Sequence, residues 1–170
     1  LAAFLIAGGA FFFLFRLIAK AEEKRRRDLI EQATHDQLTA LPNRSYLHQN
    51  IHNWAYKGAP SFSIFYVDMD HFKNINDSFG HQFGDYVLVE ITRRLRALTP
   101  PRSLIIRYGG DEFVLVTHLH ERKKLLSFAT RLIDALSRPY NVNELHFNIG
   151  ASIGIALYPE HGESLDMLLR

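Results

Sequence analysis

Cysteine is absent from the 170 residues of this chain. The absence excludes a disulfide framework, a zinc–thiolate site and a cysteine nucleophile, and it agrees with a reducing compartment. Charge of one sign is also scarce, because 20 Lys and Arg face 18 Asp and Glu for a formal net charge of +2. So small an excess gives no reason to expect a protein that coats nucleic acid, and we predict no nucleic-acid partner. The content of 47% hydrophobic and 22% charged residues is typical of a folded globular chain.

Charged side chains are missing from residues 1–15, and the apolar run continues after Arg16 as far as Ala19. A membrane-spanning helix needs about 20 apolar residues, and an arginine near its end can reach the headgroups. A cleaved signal peptide would carry its basic residues before the run, whereas Lys20 and residues 24–27 follow it. A buried core helix is the other alternative, but residues 11–15 leave no polar face for water. We therefore predict a transmembrane helix over residues 1–19.

The basic residues that follow the apolar run predict an orientation. By the positive-inside rule, the chain downstream lies in the cytoplasm, attached to the inner (cytoplasmic) membrane. The chain begins at Leu1 without a methionine, so we expect this helix to be truncated at its N-terminus. Residues 20–34 contain no Gly or Pro and favour a helix, which we interpret as a linker leaving the membrane.

Residues 35–170 have the pattern of a compact α/β domain. Helical spacing of apolar residues predicts helices over Tyr86–Leu98 and around Leu125–Leu136. Because strand and helix alternate, with one hairpin among them, we predict a mixed sheet with helices packed on it. The predicted strands are Ser61–Asp68, Leu104–Tyr108, Phe113–Thr117 and Phe147–Tyr158.

Acidic residues stand where the predicted strands end. Asp68 and Asp70 close the first strand and share a face if the strand extends that far. Asp111 and Glu112 occupy the hairpin turn. Magnesium takes oxygen ligands and is commonly bound by one or two carboxylates together with substrate phosphates. Acids at strand ends also cap turns or form ion pairs, so spacing alone leaves a metal site and a structural role open.

Residues 72–85 contain many side chains that can bind a purine. An aspartate can accept two hydrogen bonds from guanine N1–H and its exocyclic amine, and an asparagine amide both donates and accepts. Gly84 precedes the predicted helix, so its end would offer free amide donors to an anion. An ordinary capped helix N-terminus explains the same residues, and spacing does not separate the two interpretations.

Five motifs, in order along the chain, resemble those of the GGDEF family of diguanylate cyclases. Residues 107–113 read RYGGDEF, the family signature. Residues 36–44 resemble DxLTGLPNR with Ala40 in place of the usual glycine, and residues 68–77 resemble DxDxFKxxND. Residues 80–85 match GHxxGD, and residues 151–156 match the closing SIGIA strand. On these motifs residues 35–170 are identified as a GGDEF domain.

The resemblance implies an α/β (α+β) fold with a palm-like mixed central sheet, as in nucleotidyl cyclases. It implies condensation of two GTP into cyclic di-GMP and two pyrophosphates across a homodimer of GGDEF domains. It also implies a cofactor, Mg²⁺ or Mn²⁺, held by Asp68, the Met69 carbonyl and Asp111, with Asp111 and Glu112 as catalytic residues. The substrate-binding residues that it implies are Asn76, Asp85, His81, Lys73, Phe72, Leu41, Gly109 and Gly110, with Leu88 near the base.

The chain departs from the family in two places. The product-inhibition motif RxxD is replaced by Pro-Pro-Arg-Ser at residues 100–103, so we expect no feedback inhibition of that type. The chain ends at Arg170, before the family's C-terminal helix, and we expect weakened activity of the fragment. The sequence of residues 156–162 resembles that of GGDEF domains that are followed by an EAL phosphodiesterase domain. A GTP-binding regulatory module is therefore the alternative function, although an intact signature favours catalysis.

Overall fold

The structure is a computed structural model that describes residues 2–56, 61–142 and 145–170, with the side chains of residues 2–13 and 53–56 left out. Helices and strands alternate along the domain, and two helices separate the first strand from the second. In chain order the elements are α1 (Ala2–Thr34), α2 (Arg44–Tyr56), β1 (Phe62–Met69), α3 (Phe72–Phe79), α4 (His81–Leu98), β2 (Leu104–Arg107), β3 (Glu112–Thr117), α5 (Arg122–Leu136), β4 (Tyr140–Val142), β5 (Leu145–Phe147), β6 (Ala151–Tyr158) and α6 (Leu165–Leu168).

The central sheet has the strand order β2-β3-β1-β6, and every neighbouring pair in it is antiparallel. The α/β class with flanking helices is confirmed, but the prediction of a mixed sheet is wrong. The crossover through α3 and α4 does return β2 in the same direction as β1. However, β3 folds back as a hairpin and lies between them, so these two parallel strands are not neighbours.

Alternation along β1 divides the core between the two faces of the sheet. Phe65, Val67 and Met69 are buried on the inner face, against α3, α4 and α5. Phe62 and Ile64 point to the outer face, where Leu47 of α2 and residues of α6 cover them. The outer face therefore also carries Tyr66 and Asp68, which continue the same alternation to the end of the strand.

Two boundaries differ from the sequence prediction by four or five residues, and the bounds of β1, β2 and β3 differ by one. Helix α4 begins at His81, five residues before the predicted start at Tyr86, so Gly84 lies inside the helix and donates to the Gly80 carbonyl at 3.3 Å. The prediction of free amide donors at Gly84 is therefore wrong. The break is at Gly80, whose φ of 84° only glycine adopts easily. The last strand begins at Ala151, because residues 145–147 form a separate hairpin with β4.

Helix α1 runs without interruption through the predicted linker, residues 20–34. Leu1 and the side chains of residues 2–13, which include most of the predicted transmembrane segment 1–19, lie outside the described part. Among the residues that the structure describes, we find no helix with the length and apolar character that a membrane crossing requires.

Arg94 ties α4 to the segment that follows α5. Its guanidinium donates to the carbonyls of Ala135, Arg138 and Pro139 at 2.7–2.9 Å. It also lies 3.8 Å from the centroid of the Tyr140 ring and donates to Glu90 at 2.8 Å. Hydrogen bonds from Arg93 and Arg94 outweigh burial and lower the pKa of Glu90 to about 2. One buried cation thus satisfies several carbonyls at a helix C-terminus, where the peptide dipoles favour it.

We expect Arg94→Ala to lower the free energy of unfolding by about 2–3 kcal/mol, because it leaves several carbonyls without donors. Arg93→Ala is the matched control: Arg93 bonds the same Glu90, but its side chain is 69% exposed against 11% for Arg94. An exposed pair contributes about 0–1 kcal/mol. Urea unfolding followed by circular dichroism measures both variants, and equal losses would contradict this assignment.

Candidate functional site

Several carboxylates lie together at the edge of the sheet where β1 ends and β3 begins. Asp68 lies directly opposite Glu112 in the antiparallel register, and Asp111 precedes Glu112 in the hairpin turn. Burial, and then the nearby charges of Asp111, Glu112 and Asp70, raise the pKa of Asp68. Among the described residues, no lysine or arginine forms an ion pair with any of these four acids. The edge is therefore a concentration of negative charge that a cation would relieve.

The signature turn is held from outside by Arg107. Its guanidinium donates to the Gly110 carbonyl at 2.9 Å and to both carboxylate oxygens of Asp36 at 2.9 and 3.0 Å. Burial opposes ionisation of Asp36, but hydrogen bonds from Thr39 and Arg107 outweigh it and lower its pKa. The loop of residues 36–44 thus fixes the turn, and Arg107 pairs with Asp36 rather than with the acids of the site.

Glu112 is fixed on two sides. Tyr66 lies next to its carboxylate, and burial, followed by interaction with Glu112, raises the pKa of the Tyr66 hydroxyl. On the other side Gly109 contacts the carboxylate so closely that a Cβ at residue 109 would overlap it. Glu112 therefore lies between Tyr66 and Gly109, next to Asp68, and a side chain at residue 109 would displace its carboxylate.

Asp70 does not continue the alternation of β1, because the strand ends at Met69. The condition for Asp68 and Asp70 to share a strand face is therefore not met. The Asp70 carboxylate instead accepts a hydrogen bond from Ser152 Oγ at 2.7 Å, and its backbone N–H donates to the Gly150 carbonyl at 3.0 Å.

Asn76 and Asp85, the residues assigned to guanine, lie on α3 and α4. Asn76 Oδ1 is buried and has no hydrogen-bond donor among the described residues. It packs directly against Gly84, where a side chain would overlap the amide. Asp85 is exposed and lines a cavity of about 400 Å³ together with Leu38, Gln82, Tyr86 and Val89.

The other assigned substrate residues divide into two groups. Lys73 and His81 are exposed at the starts of α3 and α4. Leu41 and Phe72 are only 3% and 5% exposed and belong, with Leu88, to the inner core. These three apolar side chains therefore pack in the core cluster that α3 and α4 cover, and the polar residues of the two helices lie outside it.

A second cavity, of about 660 Å³, opens on the outer face beside the carboxylates. Tyr66, Asp68 and Ser152 line one part of it, and residues 167–170 line another. Its volume lies in the range of small-molecule sites.

Oxygen donors dominate the predicted metal site, which consists of Asp68, the Met69 carbonyl and Asp111. In the described ranges, no group of three or more His, Cys, Asp or Glu side chains is placed to hold a metal ion. A magnesium site that is completed by substrate phosphates does not require three, since one or two carboxylates suffice. The donor chemistry and the uncompensated charge at Asp68 fit a hard divalent cation.

Sequence reasoning missed three contributors to this edge: Tyr66, the pairing of Arg107 with Asp36, and Ser152. Alternation along β1 could have placed Tyr66 beside Asp68, because the two are separated by one residue. The bond between Ser152 and Asp70 joins residues 82 positions apart, and no local pattern reveals it.

Comparison with known proteins adds an independent finding. The family described as "Diguanylate cyclase, GGDEF domain" matches residues 33–170. The chain is 37% identical over 156 residues to the bifunctional diguanylate cyclase/cyclic di-GMP phosphodiesterase MucR of Pseudomonas aeruginosa, covering 90% of this chain and 23% of MucR. It is 37% identical over 146 residues to the diguanylate cyclase TpbB of the same species, covering 83% of this chain and 34% of TpbB. The chain thus spans about a quarter to a third of these curated relatives.

A solved structure is similar as well. A sensory box/GGDEF family protein from Caulobacter crescentus superposes with a TM-score of 0.73 at 34% identity. The match covers 80% of this chain and 90% of that chain. The similarity therefore extends over nearly the whole of that folded unit.

Proposed function

Since this chain belongs to the GGDEF family, we propose that it condenses two GTP molecules into cyclic di-GMP and two pyrophosphates. The observation that carries the proposal is the arrangement at the edge of the sheet. Asp68 faces Glu112 beside the Gly-Gly turn, and Asp111 lies in the same turn. The residues suited to guanine lie on the two helices that leave this edge. A phosphate site and a base site are thus joined by one short turn.

The phosphate end of the site would hold a divalent cation, Mg²⁺ or Mn²⁺, through Asp68, the Met69 carbonyl and Asp111. When bound, such an ion neutralises phosphate charge and favours loss of the proton from an attacking hydroxyl. Glu112, which lies opposite Asp68, adds negative charge next to these ligands. Lys73 is exposed at the start of α3, where its ammonium can reach a phosphate.

The base end of the site would select guanine. Asp85 can accept from N1–H and the 2-amino group, which adenine lacks. Asn76 would contribute its side-chain amide, which both donates and accepts; its Oδ1 is buried against Gly84 and has no donor in the described part of the chain. The cavity of about 400 Å³ at Asp85 leaves room beside the carboxylate.

The reaction requires two such sites. The ribose 3′-oxygen of one GTP forms a bond to the α-phosphorus of the other, the bond from that phosphorus to the β-phosphate oxygen breaks, and pyrophosphate leaves. In the second step the 3′-oxygen of the other nucleotide bonds to the α-phosphorus of the first in the same way, which releases the second pyrophosphate and closes the ring. Each domain carries one set of the residues described above, so the proposal includes a homodimer in which two sites face each other.

A second candidate function is control of a phosphodiesterase by bound GTP. It is favoured by the similarity to MucR, which is named for both activities. Incubation of the protein with GTP and Mg²⁺, with chromatographic detection of cyclic di-GMP, separates the two candidates. Product formation supports synthesis, and GTP binding without product supports the regulatory function.

We expect Asp85→Ala to weaken GTP binding by on the order of 1–3 kcal/mol, because two guanine donors lose their acceptor. Binding of ATP should hardly change, since adenine lacks both donors. Titration calorimetry with each nucleotide measures the two affinities, and Asp134→Ala, which removes an exposed acid on α5, is the control. Equal losses for GTP and ATP would show that Asp85 has only a structural role.

A further inference from the structure

The turn between β1 and α3 connects the two ends of the proposed site. Strand β1 ends at Met69 and α3 begins at Phe72, so Asp70 and His71 alone form the turn. His71 adopts φ 59° and ψ 22°, a left-handed conformation that a residue with a Cβ adopts rarely. Among the described residues, no side chain caps the start of α3. The one local bond, from Asn74 N–H to the His71 carbonyl at 2.9 Å, begins α3 and does not involve Asp70.

Two hydrogen bonds to the start of β6 hold the turn instead. The Asp70 N–H donates to the Gly150 carbonyl at 3.0 Å, and Ser152 Oγ donates to Asp70 Oδ1 at 2.7 Å. Gly150 immediately precedes β6, the strand that pairs with β1, and Ser152 is the second residue of that strand. The backbone and the side chain of Asp70 are thus fixed by the same segment.

Gly150 adds a steric condition. A Cβ built on residue 150 would overlap Asp70 Oδ2, so the carboxylate packs directly on the glycine backbone. One oxygen of Asp70 therefore accepts from Ser152 and the other lies against Gly150. Both oxygens of Asp70 are thus in contact with residues 150–152.

We propose that Asp70 is a positioning residue, which through Ser152 and Gly150 sets the orientation of α3 relative to the end of β1. The inference rests on the proposed function, because α3 carries Lys73 and Asn76 whereas β1 carries Asp68. A shift of the turn would move the base-binding side chains away from the phosphate-binding carboxylate. Distances between groups that act on one substrate tolerate little error, and loss of a supporting hydrogen bond reduces activity by roughly 10–100-fold.

Four variants test the proposal by steady-state kinetics with GTP. Ser152→Ala and Asp70→Ala remove the bond, and Gly150→Ala displaces the carboxylate, so each should lower kcat/KM by roughly 10–100-fold. Asp70→Asn keeps the shape and the Oδ1 acceptor for Ser152, and should stay within about threefold of the unsubstituted protein. A residue that binds metal through its charge would lose as much in Asp70→Asn as in Asp70→Ala.

Ser63→Ala is the matched control. Ser63 lies on β1, and its hydroxyl forms a hydrogen bond of equal length, 2.7 Å with Thr117 Oγ1, at the end of β1 opposite to Asp70. It should lower thermal stability without changing kcat/KM at a temperature where the variant is folded. If Ser63→Ala loses as much activity as Ser152→Ala, the effect is one of general stability and the proposal is wrong.

Titration calorimetry with GTP separates this proposal from the proposed function. If the unsubstituted protein binds GTP but forms no cyclic di-GMP, synthesis is excluded, and the positioning role is judged on GTP affinity alone. In that case Ser152→Ala should weaken binding by about tenfold while Asp70→Asn should not. Unchanged affinity and activity in Ser152→Ala, or a loss in Asp70→Asn equal to that in Asp70→Ala, would overturn the proposal.

Discussion

Asp111→Asn is expected to reduce cyclic di-GMP synthesis by at least about 100–1,000-fold, the size of effect seen when a preorganised electrostatic group is removed from a reaction site. Asparagine has the shape of aspartate, so the turn keeps its geometry. Arg107 holds that turn through the Gly110 carbonyl and not through Asp111, which leaves the support intact. The change therefore removes negative charge from the phosphate end of the site and little else.

The measurement is the initial rate of product formation over a range of Mg²⁺ concentrations. Asp134→Asn makes the same chemical change on an exposed face of α5 and should leave the rate unchanged. Circular dichroism and thermal unfolding show whether Asp111→Asn is folded. A folded Asp111→Asn protein with normal Mg²⁺-dependent turnover would exclude Asp111 from the site.

The residues that can be predicted from the sequence are those within short motifs. The assignment of Asp111 and Glu112 to a hairpin turn, and of Asp68 to the end of a strand, required only alternation and two adjacent glycines. The structure places Glu112 at the start of β3, opposite Asp68. The two strands were predicted, but the structure is needed to show that they are neighbours in the sheet.

Features that depend on distant pairing were not predictable in the same way. The carbonyls bound by Arg94 are more than forty residues away along the chain, and the serine bound by Asp70 is 82 residues away. The early start of α4 at His81 also escaped prediction. Phe83 continues the apolar period of Val87 and Ile91, but Gly80 and Gly84 lie on either side of it, and glycine disfavours a helix. In the folded chain Gly84 packs closely against Asn76, where a side chain would overlap the amide, and this contact between two helices is not visible in the local sequence.

Specific activity is expected to rise with protein concentration and to reach a plateau once dimers form. Each domain carries one phosphate site and one base site, so a monomer holds one GTP and cannot supply both reactants. Helix α1 offers a surface for association, since it exposes Leu14, Phe15, Leu17, Ile18, Leu29 and Ile30. Product formation and sedimentation are measured over the same concentration range. Constant specific activity at concentrations where the protein sediments as a monomer would contradict the dimeric mechanism.

Mixing provides a second test of the same mechanism with the folded but inactive Asp111→Asn protein. In a mixed dimer only one of the two sites retains its carboxylate, and cyclic di-GMP needs a bond formed at each α-phosphorus. If subunits assort at random, a fourfold excess of Asp111→Asn should lower the activity per unsubstituted subunit to about one fifth, because that is the chance of meeting an intact partner. Asp134→Asn at the same excess should leave it unchanged, since this protein forms intact partners. Activity that is unaffected by excess Asp111→Asn, under conditions where sedimentation shows that subunits exchange, would mean that one domain is sufficient and that the reaction proceeds without a facing site.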